Sequence, residues 1–186
     1  MRVVFIGPPG SGKGTQARLL HERLGIVYVG TGDMLREEVR QGTELGKRVE
    51  PFLTQGRLVP DNLVNDIVAE RLRRPDLPER FVMDGYPRTV AQAHSFNEIL
   101  KQRRLELTAV IHFLIEEDVV IRRLSGRQRA DDAEATVRHR LQEFRDTSRE
   151  LLEHYRQQRL LHEVTAANSV ENLYQTIVEI LKAAGN

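Results

Sequence analysis

The stretch Met1-Arg2-Val3-Val4-Phe5-Ile6-Gly7-Pro8-Pro9-Gly10-Ser11-Gly12-Lys13-Gly14-Thr15 opens the chain and decides its fold. Residues 2–6 are β-branched and aromatic enough to read as a buried strand, which stops at Gly7. The next residues turn on glycine, and an amphipathic segment begins near Lys13. A strand, a glycine-rich turn holding one lysine, and a helix together form a phosphate loop. The glycines let backbone N–H groups point inward around a polyphosphate, and the helix N-terminus adds its positive end. Gly10, Ser11, Gly12, Lys13, Gly14 and Thr15 are therefore candidate ligands of a nucleoside triphosphate. Lys13 would reach the outer phosphates, and Thr15 would sit near a magnesium ion. The general pattern wants Ser or Thr directly after the lysine, and here Gly14 intervenes. That displacement points away from GTPases and towards small-molecule kinases. A plain glycine turn between strand and helix is the alternative, and four glycines around one lysine in this context argue against it. The loop fixes nucleotide binding but not the acceptor.

Outward from this loop, short β-branched runs alternate with longer amphipathic ones. Strands are predicted at 2–6, 26–29, 80–84, 109–115 and 160–164. Helices are expected to begin near Lys13, Gly32, Glu44, Asp61, Thr89, Glu117, Ala133 and Ser169. Strand–helix alternation implies an α/β fold: a doubly wound, five-stranded parallel sheet flanked by helices, of the P-loop NTP hydrolase type. Ligands of such sheets bind beyond the carboxyl ends of the strands, so the sites after Ile6, Val29 and Asp84 should converge. Two stretches interrupt the alternation. Residues 30–59 hold two helical patterns and no strand, and residues 122–132 are polar and arginine-rich. The expected organisation is a core of 1–29, 60–121 and 133–186, with insertions at 30–59 and 122–132 that could move against the sheet.

Composition narrows the classes. The 186 residues are 40% hydrophobic and 30% charged, with a net charge of +1, which gives no general case for nucleic-acid or membrane binding. No apolar run is long enough to span a membrane. The opening apolar stretch is too short for a signal-peptide core, and the cytoplasm is the expected compartment. With no cysteine, disulfides and thiolate zinc sites are excluded. The six histidines show no metal spacing; His112 falls inside a strand. Only Lys13, Lys47, Lys101 and Lys182 are lysine, the other basic residues being arginine, which suits two-pronged phosphate binding. A compositional bias would give the same excess.

Several motifs, in order, resemble adenylate kinases along nearly the whole chain: Gly-Pro-Pro-Gly-Ser-Gly-Lys-Gly-Thr-Gln, Thr31-Gly32-Asp33-Met34-Leu35-Arg36, Gly56-Arg57-Leu58-Val59-Pro60, Asp84-Gly85-Tyr86-Pro87-Arg88-Thr89 with Gln92, and Arg129-Ala130-Asp131-Asp132 through Glu134, Arg138 and Arg140. The resemblance implies reversible transfer, with Mg2+, of the terminal phosphoryl group of ATP to AMP, giving two ADP. It implies that the helical insertion at 30–59 is a monophosphate-binding segment and 122–132 a very short lid, and that Thr31, Arg36, Arg57, Val59, Gly85, Arg88, Gln92, Arg129 and Arg140 bind AMP, with Arg36 and Arg88 on its phosphate and Gln92 on the adenine edge. Arg123 would face the ATP adenine and Arg127 its phosphates, while Arg129 and Arg140 clamp the transferred group. The catalytic set is then Lys13, Arg88, Arg127, Arg129 and Arg140, with Thr15 and Asp84 serving the magnesium ion, mainly through water. ATP, AMP and ADP are the expected partners of a monomer, with no nucleic acid, membrane or structural zinc.

The residues themselves leave alternatives. Thr89-Val90-Ala91-Gln92 is also a capping box, in which Gln92 serves the helix start. Asp84 could cap the turn at Gly85, and Arg36 alone could be a solvated helix residue. Arg140 lies in or beside a stripe of Val137, Leu141, Phe144, Leu151, Leu152 and Tyr155. A charge there needs a partner, which could be substrate phosphate or Asp131, Asp132 or Glu134. The chain departs from the family at the lid, where Gln128 alone separates Arg127 from Arg129, and at Gly30, where serine is usual and a looser hinge is expected. A UMP- or CMP-type kinase is the near rival, and a nucleotide-dependent switch without transfer activity is the rival of another class.

Overall fold

The computed structural model describes residues 1–75, 77–125 and 134–185. Its centre is a five-stranded sheet in the order β2-β3-β1-β4-β5. The strands are β1 (Arg2–Ile6), β2 (Val27–Gly30), β3 (Phe81–Asp84), β4 (Ala109–Leu114) and β5 (Leu161–Thr165), and all neighbours pair parallel. The chain runs from β1 outward through β2, returns by β3, then crosses to β4 on the other side of β1. The crevice expected at such a reversal opens above the carboxyl ends of β1 and its neighbours.

The five predicted strands form, with ends shifted by at most one residue. Ile26 donates its N–H to Leu20 O at 3.3 Å, so it still belongs to the turn closing the preceding helix, and β2 begins at Val27. Leu160 likewise bonds Tyr155 O at 3.1 Å behind Arg159, which has a φ of 59°, and β5 begins one residue later.

Eight helices are described: α1 (Lys13–Leu24), α2 (Thr31–Gln41), α3 (Glu44–Thr54), α4 (Asp61–Arg73), α5 (Val90–Gln102), α6 (Glu117–Ser125), α7 (Glu134–Gln157) and α8 (Val170–Ala184). Period-two alternation divides the sheet between two cores. In β1, Val3 and Phe5 face one core with Leu20 of α1 and Ile177 of α8. Val4 and Ile6 face the other, with Val68 of α4, Phe96 of α5 and Tyr155 of α7. A third cluster joins Val120 and Leu124 of α6 to Val137 and Leu141 of α7. The predicted stripe of α7 is therefore apolar along its length but serves two clusters. α2 and α3 pack on each other, with no strand between them.

Candidate active site

Above the strand ends lies a cavity of about 630 Å³. Gly10, Ser11, Gly12, Lys13, Gly14 and Thr15 line it, together with Arg36, Asp84, Gly85, Arg88, Arg123 and Arg140. Residues from three strand ends, from α6 and from α7 thus meet in one place.

The phosphate loop is shaped for an anion. Gly10 and Gly12 take left-handed backbone, with φ of 78° and 96°. Gly12 precedes α1, no side chain caps that helix and its first turn carries no acidic residue. Its first N–H groups therefore remain available to a ligand, which the helix dipole favours when it is negative. Lys13 curls back on the loop, its Nζ donating to the carbonyls of Gly7 and Pro8 at 2.8 Å each and lying 3.3 Å from Ser11 Oγ.

Asp84 ends β3, paired in register with Phe5 of β1 and Gly30 of β2. Its carboxylate accepts from the Tyr28 hydroxyl at 3.3 Å, and the same hydroxyl lies 3.1 Å from Asp33 Oδ2. Burial, then Asp84 and Asp33, push the Tyr28 phenol well above its ordinary range, so it stays protonated and donates. Arg36 in turn pairs with Asp33 at 2.5 Å. For magnesium, the residues present fit: the Asp84 carboxylate and the Thr15 hydroxyl both line the cavity with the phosphate loop, an all-oxygen set that a small hard cation takes alongside phosphates and water. Among the described residues no group of three or more His, Asp or Glu side chains could hold a metal alone.

Arg88 stands at the floor of the cleft, in reach of water but surrounded by protein. Burial lowers its pKa, Asp84 and Glu143 act to raise it, and Arg36 lowers it. A guanidinium begins so high that it keeps its charge. Its Nε donates to Gly85 O at 2.9 Å. Gly85 has a φ of 83°, and a Cβ there would stand 2.6 Å from Thr31 Oγ1 and 3.4 Å from an Arg88 terminal nitrogen, so only glycine lets these residues close on each other. Arg123 donates to Ala166 O, beyond β5, at 3.1 Å.

Other predicted residues lie outside the cavity lining. Thr31 is buried, its hydroxyl donating to Asp84 O at 3.2 Å. Val59 is in the core, and Arg57 is exposed with its guanidinium 5.5 Å above the Phe52 ring. Gln92 is 3% exposed. Its Oε1 accepts from Arg88 N at 2.7 Å and its Nε2 donates to Asp61 Oδ1 at 2.8 Å. Thr89 Oγ1 accepts from Gln92 N at 3.1 Å, which is half of the capping box, whereas the side chain serves Arg88 rather than Thr89. The predicted lid residues Arg127 and Arg129, with Asp131 and Asp132, lie outside the described residues.

Sequence reasoning passed over Tyr28 and Glu143, both of which line the cavity. Glu143 Oε1 accepts from Leu58 N at 3.0 Å and so ties the end of the 30–59 insertion to α7. Its place three residues after Arg140, on one helix face, was the available signal. The backbone of Gly30 is ordinarily extended, with φ of −102°. What it contributes is space, because a Cβ there would meet the Tyr28 hydroxyl at 2.3 Å.

Comparison with known proteins agrees with this geometry. A model of the adenylate kinase family matches residues 5–160. The chain belongs to that family. The adenylate kinase of Thermosipho melanesiensis is 40% identical over 213 positions, covering 98% of this chain and 100% of that protein. The adenylate kinase of Mycobacterium bovis is 41% identical over 181 positions, covering 97% and 99%, and that of Corynebacterium urealyticum is 44% identical over 173, covering 93% and 94%. The Thermosipho alignment is longer than this chain of 186 residues, so that relative has residues with no counterpart here. The Mycobacterium alignment nearly exhausts both chains, so the short length seen here is shared within the family.

Proposed function

We propose that the protein transfers the terminal phosphoryl group of ATP to AMP, reversibly, forming two ADP. The observation that carries this reading is the single cavity in which the phosphate loop, Asp84 and the arginines Arg36, Arg88, Arg123 and Arg140 meet, in a chain of the adenylate kinase family.

ATP enters over α1, its phosphates taken by the N–H groups of residues 10–15 and by Lys13, which leaves its own loop carbonyls to do so. Arg123, beside Ala166, faces the adenine. AMP lies against residues 30–59, with Thr31, Arg57, Val59 and Gly85 shaping its seat and Arg36 and Arg88 on its phosphate. Phosphoryl transfer asks for in-line placement and cancellation of charge on the moving group, more than for a strong base. Lys13, Arg88 and Arg140 supply that charge, joined by Arg127 and Arg129 from the lid at 122–132. Asp84 and Thr15 would hold a magnesium ion carried in with ATP, mainly through water, and the ion would supply neutralisation of charge on the outer phosphates. The arginines also exclude water when the lid closes, which favours transfer over hydrolysis. One chain supplies every residue named, so we take the working unit to be a monomer.

A coupled assay for ADP tests this, with Mg·ATP and each of AMP, UMP, CMP, GMP and no acceptor. ADP formation that depends on AMP, and that falls by about a hundredfold or more in Lys13→Ala, is expected. Equal rates with CMP or UMP would move the protein to the pyrimidine-type kinases.

A further inference from the structure

We infer that Tyr28, seated over Gly30, is a positioning residue for the Asp84 carboxylate and through it for the divalent cation; this rests on the role of Asp84 proposed above. Tyr28 and Gly30 are two apart in β2, so they share a face of the strand. The tyrosine ring folds back over the glycine, where a Cβ would stand 2.3 Å from its hydroxyl oxygen, 2.6 Å from Cζ and 2.9 Å from Cε1. Overlaps that close require the ring to shift, so any larger residue at position 30 displaces it. Gly30 and Tyr28 therefore act as a pair.

The pair delivers a hydroxyl between two carboxylates, 3.3 Å from Asp84 Oδ2 and 3.1 Å from Asp33 Oδ2. A phenol has one proton, which both oxygens share. Arg36 holds Asp33 from its other side at 2.5 Å. The Tyr28 hydroxyl then fixes one oxygen of Asp84 and leaves the other to face the cavity, where a hydrated cation would meet it. A carboxylate free to rotate pays that ordering each time the cation binds; one already held does not.

The test is Mn2+ affinity, read by electron paramagnetic resonance on the protein loaded with a non-hydrolysable ATP analogue, in Tyr28→Phe, Gly30→Ala, their combination, and Asp84→Asn. Tyr28→Phe keeps the ring and removes only the hydroxyl. It should weaken Mn2+ by up to about tenfold, the scale of one hydrogen bond to a charged group, while the analogue binds unchanged in EDTA. Gly30→Ala should give the same loss, and the combination no more than either alone. A drop in melting temperature with unchanged Mn2+ affinity in Tyr28→Phe, beside a clear loss in Asp84→Asn, would overturn the inference and leave the metal role of Asp84 standing. Unchanged affinity in Asp84→Asn as well would overturn both.

Discussion

Gln92 has an amide with two duties to divide between it. Its oxygen and nitrogen are already bonded to Arg88 N and Asp61, in a place that is 3% exposed. Reading an adenine edge then falls to its second proton and lone pair, or to an exchange of partners on binding. Truncation takes the partner from two part-buried groups, Arg88 N and Asp61 Oδ1, so Gln92→Ala should cost about 1–3 kcal/mol of stability. It should also erode the preference for AMP over CMP. Denaturant unfolding and paired kinetics measure the two; a stability loss with intact preference would leave Gln92 a structural residue only. His112 shows a different residue-scale effect. Burial lowers its pKa, opposed by its hydrogen bond to Glu163 and by that charge, with Arg156 and Lys13 lowering it further. As pH falls, the unfolded chain takes up this proton before the folded one, so stability declines from about pH 6.5 down through the folded value. His154 is lowered too, by burial and by His94, and acts in the same direction. The fall in melting temperature between about pH 7.5 and about pH 5.5 should be smaller in His112→Asn than in the parent. An identical fall would show that His112 does not carry the acid sensitivity.

At the scale of elements, the junctions carry the function. β3 hands the chain to Gly85, whose positive φ and missing Cβ let Thr31 and Arg88 approach. Gly85→Ala places a side chain in left-handed backbone and 2.6 Å from Thr31 Oγ1, so it should cost about 1–3 kcal/mol and raise the KM for AMP more than that for ATP. Unfolding curves and two-substrate kinetics check this, and equal effects on both KM values would contradict the assignment of that junction to AMP. The junctions also show how much was legible beforehand. The strand runs and the glycine loop are local signals, and β1 to β5 follow from them within a residue. Where they slipped, at Ile26 and Leu160, a turn hydrogen bond to the preceding helix outweighed strand propensity. Tyr28 gave no such signal, because a tyrosine in a strand reads as a β-former. Only its pairing with Gly30, two residues on, reveals that it folds back to Asp84. Glu143 was hidden because its partner, Leu58 N, is 85 residues away in sequence.

At the scale of the whole molecule, two cores pack the sheet between helix layers while the cavity gathers residues from both ends of the chain, from Phe5 to Leu173. The sequence foretold this convergence, since parallel strands bring their carboxyl ends to one edge whatever their spacing in sequence. It could not foretell which of the gathered side chains face the cavity and which, like Thr31 and Val59, turn into the core. The short length is shared with the Mycobacterium relative, whose alignment covers 97% of this chain and 99% of that protein. The central claim is transfer from ATP to AMP, and it is tested most directly by following the label from ATP marked in its terminal phosphate, with AMP and Mg2+ present. The account predicts that the label appears in the β-phosphate of ADP, at a rate that depends on AMP. Label released chiefly as inorganic phosphate, or at a rate indifferent to AMP, would contradict it.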